Sequence, residues 1–363
     1  MKIRGGSFFK VSINAPTKTN PWLFRFAVLT ACATFLLIGL GGLVTSHEAG
    51  MSVPDWPTSY GYNMFALPIK FWKGGAFFEH THRLLASAVG LLTTILAVWL
   101  RLKDSRRWMH WLGVAAFLGV IAQGILGGLR VTMKMDSLGI FHGAVAQTFF
   151  VLVCAIALFT SRFWIELAAR QKELPVLRGL RRHVLFVTIL IFAQLLIGAT
   201  MRHQHAGLAI PDFPSAYGKI WPDTSAAAIA RYNAERIEVT NVNPITAFQI
   251  ILQMIHRLAA FLILAGVAAA AWLARKRLGG TDSLAKLALF WLALIVLQIA
   301  LGMATIWTNK AADVATVHVM IGALSLVTGA LWCLIGFGRS ASPLPDAQTF
   351  GVFGVQASMM ANK

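Results

Sequence analysis

Four histidines in this sequence stand where histidine is expensive, inside or at the mouth of long apolar stretches. His82 and His142 fall in the N-terminal half, His256 and His318 in the C-terminal half. An ionisable side chain in hydrocarbon is a functional signal by default. A neutral imidazole is a common ligand for haem iron and other metals, and two histidines from two helices of one bundle make a natural axial pair. The plainer alternative is that each ring only hydrogen-bonds a neighbouring helix. For a single intramembrane histidine that alternative is the stronger one; four, paired by half, reverse the balance. Zinc or copper fits less well, because sets of two fall short of the three or four ligands those ions take.

Glu79 stands three residues before His82, and Gln253 three before His256. That spacing puts each on the helix face of its histidine. A carboxylate there can exchange a proton and stabilise developing positive charge, whereas an amide can only hydrogen-bond. The contrast assigns reaction to the first half and a permanent haem to the second. Against it stands the reading that Glu79 merely places negative charge at a helix start. Arg83 and Arg257, each following a histidine, are candidates to pair with haem propionates, since Arg grips carboxylates with two N–H groups; snorkelling to the surface is the alternative. His80 aligns with Met254 across the two halves and is left out of the ligand set. His47, His203 and His205 read as loop residues, and His110 and His183 lie near the opposite face.

The elements that must position these residues follow from composition. Of 363 residues, 57% are hydrophobic and 13% charged, against about 25% charged in a soluble globular chain. Crossing a bilayer takes roughly 20 apolar residues, and eight segments qualify: residues 21–45, 79–100, 108–131, 138–160, 183–201, 245–274, 284–307 and 314–337. The expected fold is all-α, an integral membrane protein of eight transmembrane helices. The net charge of +18 is spread between apolar blocks rather than gathered on one face, which argues against nucleic acid. Lys and Arg crowd the N-terminal tail and the connections after the second, fourth and sixth spans, so both termini are expected on the cytoplasmic side of the cell inner membrane. The basic, polar N-terminus precedes a retained first span and not a cleaved signal. Cys32, Cys154 and Cys333 sit in separate apolar stretches, and their spacing suggests neither a disulfide nor a thiolate metal site.

The connections at residues 46–78 and 202–244 are too long for simple links, and loops of that length are usually functional. They also reveal a duplication. From His47 the first reads HEAGMSVPDWPTSYG; from Gln204, 157 positions on, the second reads QHAGLAIPDFPSAYG. EHTHRLLA from Glu79 is matched by QMIHRLAA from Gln253, QGILGG from Gln123 by QIALGM from Gln298, and the span holding His142 by that holding His318. Spans one to four therefore correspond in order to spans five to eight, as two parallel repeats. Residues 1–180 form the first four-helix unit and 181–363 the second, as pseudo-symmetric bundles. Each of the four histidines lies within about three turns of a span start on the same side, so all share one depth. Gly124, Gly127, Gly128, Gly143, Gly302 and Gly322 would let helices close up or leave room for a planar ring. Asp55 and Asp212, in the matched Pro-Asp-aromatic-Pro stretches, are expected to shape their loops.

Taken together, Glu79-x-x-His82-Arg83, Gln123-Gly124-Ile125-Leu126-Gly127-Gly128, His142, His256-Arg257, His318 and the two Pro-Asp-aromatic-Pro loops resemble the haem A synthase family over nearly the whole chain. The resemblance implies oxidation of a porphyrin methyl group of haem O to a formyl group by successive hydroxylations, giving haem A, with molecular oxygen or water as oxygen source. It implies His82 and His142 as axial ligands of the substrate haem, His256 and His318 as those of a haem b, and Glu79 as the catalytic carboxylate. Haem O synthase and an unidentified electron donor are the implied partners, with membrane lipid around the chain and a homo-oligomer left open. Some bacterial members carry an outer-loop cysteine pair; this chain has none, so a thiol step of that kind is not expected. Two other readings compete. A diheme electron carrier of cytochrome b type would also use paired histidines, but has no need of Glu79 beside one haem only. A transporter rocking about its repeats would need more buried charge than these spans hold.

Overall fold

A computed structural model describes residues 20–135, 137–169, 176–236 and 243–338. Eight of its helices are long and apolar enough to cross a membrane, as the composition requires. They are α1 (Pro21–Ser46), α2 (Gly75–Lys103), α3 (Arg107–Thr132), α4 (Leu138–Thr160), α6 (Val176–His203), α8 (Ala247–Leu278), α9 (Ser283–Trp307) and α10 (Ala312–Gly338). Two short helices accompany them: α5 (Arg162–Ala169) follows α4, and α7 (Ala226–Ala234) lies in the second long loop. Neither was expected, because hydropathy finds spans and is blind to short amphipathic turns. Several spans also outrun their apolar stretches. α2 starts at Gly75 and α6 already at Val176, since Arg178, Arg181 and Arg182 can continue a helix outside hydrocarbon as well as inside it.

Local signals set the ends. Asn20 caps α1 through its side chain, with Pro21 at the first helical position, where a missing N–H costs nothing. Thr246 and Gln249 form a reciprocal capping box on α8, and Asp282 caps α9. Within the spans, hydroxyls such as Thr34, Thr93 and Thr188 donate to the carbonyl one turn back, so these polar atoms are satisfied without water.

α1 packs against α2 and α4, α2 against α3, and α3 against α4; α6 packs against α8 and α10, α8 against α9, and α9 against α10. α10 also touches α1 and α4, and α4 touches α6. α10 is thus the hub: 61% of its apolar window is buried, against 17% for α3. Two apolar cores fill the end away from the long loops. One gathers Leu177, Leu180, Trp291 and Trp332, with the Trp332 indole N–H donating to Leu284 O at 2.9 Å. The other gathers Leu96, Leu100, Phe149, Val153 and Ile156. The loop-side half of the spans is left for a cavity.

Candidate functional site: a histidine-lined cavity

The two matched loops fold alike. Asp55 accepts hydrogen bonds from Thr58 Oγ1 (2.5 Å), Tyr60 N–H (2.6 Å) and Gly61 N–H (2.8 Å). Asp212 accepts from Ser215 Oγ (2.6 Å), Tyr217 N–H (2.7 Å) and Gly218 N–H (2.9 Å). The carboxylates pin tyrosines whose backbone is left-handed, φ 52° at Tyr60 and 53° at Tyr217, a region costly for a residue with a Cβ. The structural role expected of both aspartates is what the structure shows. Burial alone would raise the Asp55 carboxyl, but the three donated hydrogen bonds outweigh it and hold the pKa below the ordinary 3.8. A depressed folded pKa stabilises the loop at all pH values above the ordinary one, and that stabilisation is lost as pH falls through the folded value. Asp55→Asn, which keeps one acceptor oxygen, is expected to cost about 1–2 kcal/mol. Thermal unfolding at neutral pH should show the loss, and the gap between variant and parent should close as pH falls through the depressed folded value.

Glu79 and Gln253 hold these loops from below. Glu79 is buried at 4% exposure and Gln253 at 2%. Val53 N–H donates to Glu79 Oε2 at 2.9 Å; the equivalent Ile210 N–H donates to Gln253 Oε1 at 2.7 Å. A carboxylate cannot donate in return, so Arg83 does: Nη2 bonds Val53 O (3.1 Å) and Glu79 Oε1 (2.7 Å), and Nη1 bonds Asp55 O (2.7 Å) and Thr58 O (3.1 Å). An amide can donate, and Gln253 Nε2 takes Ile210 O (3.2 Å) and Gly207 O (3.3 Å) itself. Arg257 then serves only Asp212 O (2.7 Å) and Ser215 O (2.9 Å). Both arginines, expected to face haem propionates, spend these N–H groups on loop carbonyls.

All four histidines line one cavity of about 830 Å³, within the usual range for cofactor sites. Each ring rests in a glycine notch on the preceding span. A Cβ on Gly41 would lie 3.2 Å from His82 Nε2, on Gly127 3.5 Å from His142 Cε1, and on Gly198 and Gly302 3.3 Å from Cε1 of His256 and His318. None of the four rings hydrogen-bonds a carboxylate among the described residues. The Nδ1 atoms of His142, His256 and His318 are buried without a partner, and only His318 Nε2 approaches an amide, that of Gln298 at 3.4 Å. Hydrogen bonding to neighbouring helices, the plain alternative, leaves these three Nδ1 atoms unaccounted for. Orphaned imidazoles in notches around an apolar cavity fit a flat, iron-bearing ring. Glu79 is the single carboxylate among the lining residues described.

The remaining histidines are accounted for otherwise. His110 and His183 bond Asp104 O and Gly266 O at 2.7 and 2.8 Å. His47 bonds Leu43 O and stacks on Phe78. His80 is buried edge-on to Trp72, outside the cavity lining. His203 and His205, expected to be plain loop residues, line the cavity. His203 fills the space over Gly139 of α4, and its neighbour Arg202 bonds Gly42 O (2.7 Å) and Ser46 Oγ of α1, so the end of α6 grips the first repeat. Sequence reasoning also missed Gly41 and Gly198, although they sit 157 positions apart, the same offset as the loops. Gln123 and Gln194, whose amides bond His142 O and His256 O at 3.1 and 2.8 Å, were likewise not picked out as part of the site.

Eight apolar spans around a cavity lined by these four histidines define a multi-pass membrane protein. The chain belongs to the COX15-CtaA family of cytochrome oxidase assembly proteins, whose family model matches residues 24–330. Among its relatives, the heme A synthase of Rhizorhabdus wittichii is 28% identical over 361 residues, covering 90% of this chain and 96% of its own. The heme A synthase of Lysinibacillus sphaericus is 25% identical over 319 residues, covering 87% and 95%.

Proposed function

We propose that this chain is a haem A synthase, an oxidoreductase that converts a methyl group of haem O to the formyl group of haem A. The observation that carries the reading is a duplicated, histidine-lined cavity with one carboxylate, Glu79, in the first repeat only. Family membership and relatives of that name support it. His82 and His142 would hold the substrate haem, and His256 and His318 a resident haem b. When bound, the haems supply the iron-centred redox chemistry. The chain supplies the rest: imidazoles seated by glycine notches, apolar walls that exclude water, and a carboxylate that can hold a proton or face developing positive charge. The two repeats would be pseudo-symmetric bundles divided near residue 180, with both termini cytoplasmic, a reading supported by Lys and Arg on the connections opposite the long loops. Molecular oxygen or water would supply the oxygen. The electrons would come from a separate donor, and haem O from its synthase.

The test is expression with a haem O synthase in a host lacking haem A, followed by haem extraction and chromatography. Haem A or hydroxylated haem O is the expected product. Haem b in good yield with haem O left unmodified in the presence of oxygen would replace this reading with a diheme electron carrier.

A further inference from the structure

The two long loops line the same cavity as the histidines. Gly50, Trp56 and Pro57 contribute from the first loop, Gly207 and Phe213 from the second. The loops share a backbone plan but differ in what fastens them. The second belongs to a buried apolar cluster that includes Ala209, Ile210, Ala216, Tyr232 and Met254. Tyr232 of α7 stacks face to face on Tyr217 at 3.6 Å and 5°. Its polar ties are divided between Gln253 and Arg257. The first loop has no such buried cluster among the described residues; its Tyr60 stacks on Phe71 within the loop itself at 5.0 Å and 15°. Its polar ties to α2 run through Arg83, which holds three loop carbonyls and Glu79, and through Glu79, which accepts from Val53 N–H. Val53 and Ala49 of the loop are buried, and the half-exposed Trp56 indole sits on Gly128 of α3, where any Cβ would collide with the ring. The aligned position in the second repeat is Met303.

We propose that residues 49–61 form a releasable lid over the first haem site, latched by Arg83, while residues 206–218 form a fixed cap over the second. The proposal rests on the haem reading of the cavity. It gives Arg83 a positioning role, holding a lid shut and not gripping a propionate. The division suits the two occupants: substrate and product must exchange at the first site, and a resident haem must stay at the second. Breaking the Arg83 latch frees four hydrogen bonds and leaves the Val53–Glu79 bond, whereas losing Arg257 frees two and leaves the three Gln253 bonds and the apolar cluster in place.

The test follows haem loss from the purified full-length protein in detergent to an excess of a soluble haem-scavenging globin. Two phases are expected, assigned to the two sites with His142→Ala and His318→Ala. Arg83→Met should speed the first-site phase at least tenfold with the bis-histidine spectrum retained. Arg83→Lys should fall between, and Arg257→Met should change the second-site phase less than threefold. Gly128→Leu, which displaces the Trp56 indole, should reproduce the Arg83→Met effect by an independent route. Protein reconstituted with haem dimethyl ester separates latch from propionate ligand. For a latch, Arg83→Met accelerates ester release as much as acid release. If the parent already releases the ester fast and Arg83→Met adds nothing, Arg83 is a carboxylate ligand and the lid proposal is wrong. Unchanged phases in both Arg83→Met and Gly128→Leu would also overturn it, and would point to exchange between helices from the lipid side. A preparation with no bis-histidine haem in either half would instead refute the underlying haem reading.

Discussion

Glu79→Gln is expected to abolish haem A formation while leaving haem content close to the parent's and costing less thermal stability than Glu79→Ala. The second repeat contains the experiment already: Gln253 occupies the equivalent place, accepts from Ile210 N–H as Glu79 does from Val53 N–H, and donates to Ile210 O. A glutamine at position 79 can accept from Val53 N–H and donate to Val53 O, so the loop stays attached. What it cannot do is carry a proton or a negative charge. Glu79→Ala is the contrasting variant. It strips the partner from Arg83, whose side chain is only 10% exposed, and leaves Val53 N–H orphaned. Removing one member of a buried pair costs about 3–5 kcal/mol, so this variant should unfold at a clearly lower temperature. Extracted-haem chromatography and thermal melts of both variants separate chemistry from architecture. Retention of haem A formation in Glu79→Gln would reduce the carboxylate to a loop anchor.

The second large effect is expected at the glycine notches. Gly302→Leu should empty the second haem site and Gly127→Leu the first, each lowering haem affinity at the affected site by about 10–100-fold, the range seen when the support of a metal ligand is removed. At Gly302 a Cβ alone would stand 3.3 Å from the His318 ring, already tight. The branched end of a leucine needs the volume the imidazole fills, and the ring must swing away from its ligating position. Alanine, needing only a few tenths of an ångström, should be mild. The readout is the haem-to-protein ratio together with the reduced-minus-oxidised spectrum. Equal occupancy of both sites in Gly302→Leu would show that the notch does not set the ring.

The spans, the repeat and the four cavity histidines were legible in the sequence because each leaves a local mark. Apolar stretches announce helices, and a polar loop repeated 157 positions on announces duplication. His80 fails the repeat alignment and lies outside the cavity lining, whereas His203 and His205, set aside in the sequence, line it. Arg83 and Arg257 were harder. Their position beside the histidines is a one-dimensional fact, while their hydrogen bonds reach loop residues 25 to 45 positions away. α5 and α7 were invisible because short helices leave no hydropathy signal. His203 was misread as a loop residue because α6 runs on as far as His203 itself, carrying the side chain onto α4.

The centrality of α10 bears on how the molecule is made. A chain threaded into a membrane from its N-terminus delivers this span after the other seven, yet α10 touches α1, α4, α6 and α9. Until it arrives, α1 and α4 lack the neighbour that covers Phe150 with Ala323 and Val327, and α6 lacks the wall that completes the second core. The nascent protein must therefore persist in the bilayer with an open seam down its middle, its cavity unfinished and His318 missing. Any haem captured before that moment would meet three of the four imidazoles. On the proposed haem reading, a haem held between His256 and His318 could be completed only after this last span arrives.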